Sequence, residues 1–384
     1  MLPPRPTTTE DLAALIAQAA RDNTQVRIQG SASMPLARFD PSRPIRDIST
    51  LRMNKILDHA ITDMTVTVQA GISLEALQRE LAWHNQWLPV DPPALCIDGR
   101  SPMRRTLAGL IATNSLGPLR AMDAGANDWR RLLLGMRWIN ASGTVIKGGG
   151  RTMKNVAGYH TPRLMIGAAG TLGAIAELTL RTSPRPEDES AVTFFCPSVA
   201  AANALFAAIR LAPVTPAYLQ LCPRHTFAGN PLQLPAPPRD GLALTAGFLD
   251  RPASCAAQID AIRQLPEAAA SESISHPAAP AGRLRLWMTS EPPPVPPHLP
   301  FRAHMLPTQV CDFLQKLDRA KGTWLIAEAA TAVIRGHAPL ADLQRLLPPA
   351  AALLILDPNH PTPPPSLYAP IKQALDPATI FGTL

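Results

Sequence analysis

Lys154-Asn-Val-Ala-Gly-Tyr-His-Thr-Pro-Arg-Leu-Met-Ile-Gly-Ala-Ala-Gly-Thr-Leu-Gly173, followed by Ala174-Ile-Ala-Glu-Leu-Thr-Leu180, is the stretch on which the fold turns. Its second half reads as a helix from about Arg163, a turn at Gly170-Thr-Leu-Gly173 and a strand over 174–180. The glycines stand where backbone must take a positive φ or come close to something bound. Just upstream lie Gly148-Gly-Gly150 and a β-hairpin pattern, Leu132–Ile139 and Gly143–Lys147 around Asn140-Ala-Ser-Gly143. Neither common phosphate-loop fingerprint fits. Gly148–Gly150 is not followed by Lys-Ser/Thr, and Gly167, Gly170 and Gly173 are three apart rather than in Gly-x-Gly-x-x-Gly register. A GTPase, a kinase or a nicotinamide Rossmann enzyme is disfavoured, whereas several separate small-residue loops suit a long ligand threaded past many turns.

Upstream, Thr7 with Glu10 forms a capping-box pattern ahead of Leu12, Leu15, Ile16 and Ala19 at helical spacing. Val26–Ile28 reads as a short strand entering the small, polar run Gln29-Gly-Ser-Ala-Ser33. Beyond a linker with Pro35, Pro41 and Pro44, Ile45–Ile48 follows, and Thr65–Gln69 alternates as a half-buried strand does. Ser73 can N-cap a helix over Leu74–His84, which gives way to Trp87-Leu-Pro-Val-Asp-Pro-Pro93; residues 106–117 then read as a short small-residue helix running into a turn. Downstream of Pro184 and Pro186 the pattern predicts helices over Ser198–Leu211, Gln309–Leu317 and Leu340–Leu346. Strands are predicted at Leu242–Phe248 and Leu284–Met288, a strand or helix at Ala351–Leu356, and proline-rich loops at Pro292–Pro300 and Pro361–Pro365.

Composition divides the chain in the same place. Thirteen of the 22 glycines lie between Gly99 and Gly173, while 31 of the 43 prolines fall at or after Pro184, which locates the chemistry before about residue 183 and a loop-rich accessory region after it. At 46% hydrophobic and 17% charged the 384 residues are too apolar for disorder and long enough for two or three domains. The net charge of +7 suits an anionic ligand or an acidic partner surface; the basic residues are dispersed and aromatics few, which argues against nucleic acid. Five isolated cysteines, Cys96, Cys196, Cys222, Cys255 and Cys311, contain no Cys-x-x-Cys, so a disulfide frame, a zinc ribbon and an iron–sulfur cluster are not expected. No metal site is expected either. Met1–Pro6 carries no signal-like apolar stretch and no run approaches the roughly 18–20 apolar residues of a membrane helix. The expectation is a cytoplasmic protein with no membrane span of its own, or one peripheral at the inner membrane through a complex.

The order Gln29–Ser33, Leu88–Pro93, Thr106–Gly109, Gly117-Pro118 with Arg120, Leu134-Gly135, Gly148–Gly150, Lys154–Tyr159 and Leu164–Gly173 resembles the PCMH-type FAD-binding domain of the vanillyl-alcohol oxidase/p-cresol methylhydroxylase flavoproteins. More narrowly it is similar to the FAD-binding E subunits of glycolate oxidase (glycolate dehydrogenase). The match covers residues 25–186 and returns at Leu375-Asp-Pro377 and Phe381. It implies an α+β chain: two α/β subdomains holding FAD over 1–185, a smaller α+β cap over 186–348, and a segment 349–384 returning to the FAD domain. By the same resemblance Gly30, Ser31 and Ser33 cradle the pyrophosphate. Pro92, Thr106, Gly109 and Ser115 line the flavin side, and Gly158, Gly170, Thr171, Gly173 and Ile175 hold the dinucleotide and adenine. Lys154, with Arg151 and Arg163, would contact an anion. His84 and Cys96 lie near the superfamily's covalent-flavin region, but the E subunits resembled are not known for that link. Three departures stand out: Ala108-Gly109 where the family has Gly-Gly, Ser31-Ala32-Ser33 for a glycine-rich loop, and Phe381-Gly-Thr-Leu384 in place of an Asn-Pro-Gly ending.

In this class a 2-hydroxy acid gives a hydride from its α-carbon to the flavin, with a base for the hydroxyl proton and a cation for the carboxylate. The nine histidines are scattered without a His-x-His pair, and His337, after Gly336, is the one candidate base. The resemblance therefore implies a glycolate oxidase subunit that works with a second FAD-linked oxidase subunit and an iron–sulfur subunit. A stand-alone D-2-hydroxy-acid (D-lactate type) dehydrogenase and a non-catalytic scaffold are the alternatives.

Overall fold

The structure is a computed structural model that describes residues 3–31, 37–95, 105–122, 127–150, 161–235, 237–238, 241–292, 294–320, 323–356 and 367–383. Two sheets organise it. The first unit holds strands β1 (Gln25–Gln29), β2 (Ile45–Ser49), β3 (Ile56–Ala60), β4 (Thr65–Gln69), β5 (Gln86–Trp87), β6 (Ala94–Leu95), β7 (Leu133–Ile139), β8 (Val145–Gly149), β9 (Ala174–Arg181) and β10 (Ser183–Pro184). β1 and β2 pair in parallel, and a five-stranded antiparallel sheet runs in the order β3-β4-β9-β7-β8. This mixed architecture is the α+β class expected.

Helix Thr9–Arg21 begins one residue later than its sequence pattern suggested. Thr8 is the N-cap, and Asp11, not Glu10, closes the capping box, because Asp11 reaches back to the backbone N–H of Thr8 at 3.2 Å while Thr8 Oγ1 accepts from Asp11 N at 3.0 Å. Helix Leu74–Ala82 starts at Ser73 as expected and buries Leu74, Leu77 and Leu81 fully, worth about 2 kcal/mol each. Thr65–Gln69 is buried along both faces rather than one. Val66 and Val68 enter the core of the sheet, while on the opposite face Thr67 bonds Thr179 at 3.0 Å and Gln69 binds the Thr7 carbonyl at 3.0 Å. Satisfied polar groups let the alternation persist in a strand that sees no water. β3 had no expectation in sequence; Asp58 and His59 interrupt its apolar signal.

The cap comprises β11 (Asp188–Cys196), β12 (Tyr218–Pro223), β13 (Leu242–Asp250), β14 (Glu272–His276), β15 (Ser290–Glu291), β16 (His298–His304), β17 (Thr323–Glu328), β18 (Val333–Pro339) and β19 (Ala352–Ile355). Apart from β15 these form one antiparallel sheet, β14-β11-β13-β12-β17-β18-β16-β19; β15 instead pairs in parallel with β6 and ties cap to first unit. Leu284–Met288 is not a strand. It belongs to helix Ala278–Thr289, whose buried Ala281, Leu284 and Met288 follow helical spacing while Leu286 is exposed. Helices Val199–Leu211, Val310–Arg319 and Leu340–Leu346 pack with Leu219, Leu221, Phe301, Ala303, Leu325, Ala327 and Ile334 on one sheet face. By strand alternation Tyr218, Gln220, Cys222, Arg302 and Arg335 take the other face, where Leu119 of the first unit joins Tyr218 and Cys222.

After β19 the chain returns to the first unit. Val26 N donates to the Ile380 carbonyl at 2.7 Å, Phe381 bridges Val26, and Thr383 bridges Arg38. Cys196, Cys222, Cys255 and Cys311 are buried free thiols; Cys96 lies outside the described residues. Among the described residues no helix is long and apolar enough to cross a membrane.

Candidate functional site

The C-terminal end of β1, helix Leu107–Ala112 and the turn before β9 line a cleft open to solvent. Its shape begins with Gly30. A Cβ there would stand 2.1 Å from Thr106 Oγ1, so only glycine lets the strand pass the start of the helix. Thr106 N-caps that helix by accepting from Gly109 N at 3.3 Å. Ala108 occupies a helical position of negative φ, which is why alanine serves where the family has glycine. On the opposite wall Gly170 sits at φ +77°, and a Cβ there would meet no atom of the described residues within 4 Å.

Arg105 is the cleft's buried cation. It donates to the Pro93 carbonyl at 3.2 Å and to Thr113 Oγ1 and Ser115 Oγ at 3.0 Å each. Burial, with Arg302 nearby, pulls its pKa down to about 10, so it stays charged at neutral pH. Arg27 also lines the cleft, held by Asp47 at 2.6 Å and 2.9 Å.

Of the expected site residues, Gly30, Ser31, Thr106, Gly109, Gly170, Gly173 and Ile175 come together on the walls. Ser115 stands behind them, bonded to Arg105. Thr171 is fully buried, its hydroxyl donating to the Ala168 carbonyl at 2.7 Å, and Pro92 is buried outside the lining set. Ser33, Lys154 and Gly158 lie outside the described residues, as do Arg151 and Tyr159. Arg163 is exposed and His84 packs edge-on against His59 at 5.0 Å; neither lines the cleft. Arg27 and Arg105 had no expectation as site residues. The available signal was the arginine pair Arg104-Arg105 directly preceding the small-residue run Thr106–Gly117.

His337 belongs to the cap. It is buried, stacked on Trp324 with ring centroids 6.1 Å apart, and lies two residues from Arg335, whose guanidinium stands 5.5 Å above the same indole. Arg335 Nε donates to Glu328 Oε1 at 3.1 Å, and from the first unit Arg120 approaches Glu328 at 3.8 Å. Arg302 donates to the Asn114 carbonyl at 3.2 Å, next to cleft-lining Thr113, so this polar face of the cap adjoins the cleft. A second network joins the units: Arg285 reaches Asp91 at 3.1 Å and Glu189 at 2.7 Å and 3.0 Å. Burial raises the Asp91 pKa to about 6 despite Arg285.

A cleft lined by Gly30, Gly109 and Gly170 admits backbone approach to phosphate oxygens, and Arg105 supplies positive charge, so the residues present suit a dinucleotide. Residues 4–149 match the family described as FAD binding domain, and this part of the chain is a FAD-binding domain of the PCMH type, with FAD as its cofactor. Among curated proteins, the chain is 32% identical over 169 residues to glycolate oxidase subunit GlcE of Escherichia coli, covering 44% of this chain and 45% of that one. It is 34% identical over 163 residues to D-2-hydroxyglutarate dehydrogenase of Xanthomonas citri, covering 42% and 32%. The matched stretches thus span less than half of either relative. Alkyldihydroxyacetonephosphate synthase superposes with a TM-score of 0.70 at 16% identity over 98% of this chain and 76% of that one, a likeness of fold.

Proposed function

We propose that this chain is the FAD-binding subunit of a glycolate oxidase complex, oxidising glycolate to glyoxylate beside a second FAD-linked oxidase subunit and an iron–sulfur subunit. The observation that carries the reading is the likeness to the E. coli glycolate oxidase subunit, which takes nearly the same share of both chains, 44% and 45%. FAD held in the cleft supplies the two-electron acceptor for the α-hydrogen as hydride. The division of labour falls at about residue 185, with the cap sheet running to Ile355.

Gly30 and Ser31, with Ser33, hold the pyrophosphate; Thr106 and Gly109 meet the flavin side; Gly170, Gly173 and Ile175, with Gly158, hold the adenosine end. Pro92, Ser115 and Thr171 support these walls from behind, and Lys154 neutralises phosphate. His337, beside Arg335 on the cap, accepts the hydroxyl proton. A stand-alone D-2-hydroxy-acid dehydrogenase is the second reading, favoured by the 34% identity to the Xanthomonas enzyme.

The full chain, purified alone and together with the products of its neighbouring genes, decides between them by visible spectrum and glycolate-dependent dye reduction. Yellow protein that reduces dye only in the complex is the expected result. Yellow protein active by itself overturns the subunit role, and colourless protein within an active complex overturns the assignment of flavin to this chain.

A further inference from the structure

Gln220 sits in the middle of the cap sheet with 1% of its surface exposed, and among the described residues neither its Oε1 nor its Nε2 has a hydrogen-bond partner. Buried amides are rarely left this way, because each lost bond to water is uncompensated. Its register partner on β17 is Glu328, which pairs with Arg335; Arg335 is itself 1% exposed, and after Glu328 and the Met288 carbonyl take Nε and Nη2, its Nη1 has no partner among the described residues. Arg120 comes to the same carboxylate from the first unit. Two guanidinium groups therefore converge on one carboxylate beside an amide with an unused donor and an unused acceptor. Asp91 and Glu189 do not redress the balance, since Arg285 takes both.

From these groups we infer a subsite for a 2-hydroxycarboxylate between Gln220 and Arg335. The carboxylate of such a ligand accepts from Arg335 Nη1 and Gln220 Nε2, and in the bound, unreacted acid its hydroxyl donates to Gln220 Oε1, the hydrogen bond that is given up when the proton passes to the base. This chemistry satisfies all three orphan atoms at once and brings compensating negative charge to the arginines. A simple carboxylate would leave Gln220 Oε1 unmet, so the amide selects for the 2-hydroxyl. Trp324 supplies an apolar wall under Arg335. The inference rests on the 2-hydroxy-acid reading above and names the side chains that would recognise that acid.

Isothermal titration of the full chain with glycolate and with acetate tests it. Flavin is reduced with dithionite beforehand so that glycolate does not turn over; a colourless preparation needs no such step. Wild type is expected to bind glycolate at least tenfold more tightly than acetate. Gln220→Leu should erase that preference while raising the melting temperature, since an orphan amide is removed. Arg335→Lys should weaken both ligands at least tenfold; should it fail to fold, Gln220→Leu alone decides. Equal binding of the two acids by wild type, or an unchanged preference in Gln220→Leu, overturns the subsite. Dye reduction with glycolate that is indifferent to Gln220→Leu also overturns it and leaves the proposed function standing. A colourless chain that still prefers glycolate sinks the flavoenzyme reading and keeps the subsite.

Discussion

Lys372 Nζ donates to the Thr171 carbonyl at 2.6 Å, joining the last helix to the turn that walls the cleft 201 residues earlier. The same ammonium binds the carbonyls of Phe381 at 2.5 Å and Gly382 at 2.9 Å and pairs with Asp376 at 2.5 Å, whose carboxylate accepts from Ile380 N and Phe381 N at 2.7 Å and 2.9 Å. This buried clasp seats the tail without the Asn-Pro-Gly ending of the resembled family. Breaking one side of a buried ion pair typically costs about 3–5 kcal/mol. Lys372→Met should lose stability of that order in urea unfolding and retain less flavin, read as a lower ratio of visible to ultraviolet absorbance. Unchanged flavin content in a destabilised Lys372→Met would show the clasp to be remote from the cofactor.

Gly30 and Thr106 make a second contact that can be tested by a cycle. Gly30→Ala drives a methyl to 2.1 Å from Thr106 Oγ1 and 2.9 Å from its Cγ2 and should destabilise by about 1–3 kcal/mol. Thr106→Ala removes an N-cap and should cost about 1 kcal/mol. The double variant deletes both clashing atoms, leaving the Thr106 Cβ at 3.1 Å, and should be less destabilised than the sum of the single variants. Thermal unfolding of the four proteins measures the coupling. Strict additivity would mean that the strand moves aside.

The glycine-rich turns, the strands β1, β2, β4, β7, β8 and β9 of the first unit and most helices were legible because their signals are local: caps, turn glycines and apolar period. Gly30, Thr106 and Gly170, singled out through a family resemblance that those same local turns carry, come together on the walls of the cleft. What was hidden depends on long-range pairing. Arg105 acquires its place only when Pro93, Thr113 and Ser115 close around it, and Gln220 and Arg335 look like ordinary strand residues until β12, β17 and β18 align. Within helix Ala278–Thr289, Leu284, Leu286 and Met288 also satisfy a two-residue repeat over five positions, too short a window to expose the longer period.

Gly170 separates stability from binding. At φ +77° an alanine costs about 1–2 kcal/mol in backbone strain, yet its methyl meets no atom of the described residues within 4 Å. The methyl would project into the cleft. Gly170→Ala should therefore lower the melting temperature modestly but weaken FAD binding at least tenfold, as measured by fluorescence titration of the flavin-free chain. A loss of flavin affinity no larger than the loss in stability would place the cofactor elsewhere along the cleft.

Asp91 predicts a pH dependence with a definite sign. Burial holds its folded pKa at about 6 against an ordinary value of 3.8, so between those values the native state holds a proton that the unfolded chain has released. Its contribution is fully present below about pH 4 and is lost as pH rises through about 6. The difference of roughly two units bounds the effect at about 3 kcal/mol. Asp91→Asn keeps an acceptor for Leu119 N and removes the titration, leaving Arg285 to Glu189. Denaturant unfolding at pH 4.5 and 7.5 should therefore show wild type losing stability relative to Asp91→Asn as pH rises. A constant difference across that range would mean that Arg285 keeps Asp91 ionised throughout, and that the two units are held together by a permanent ion pair between them.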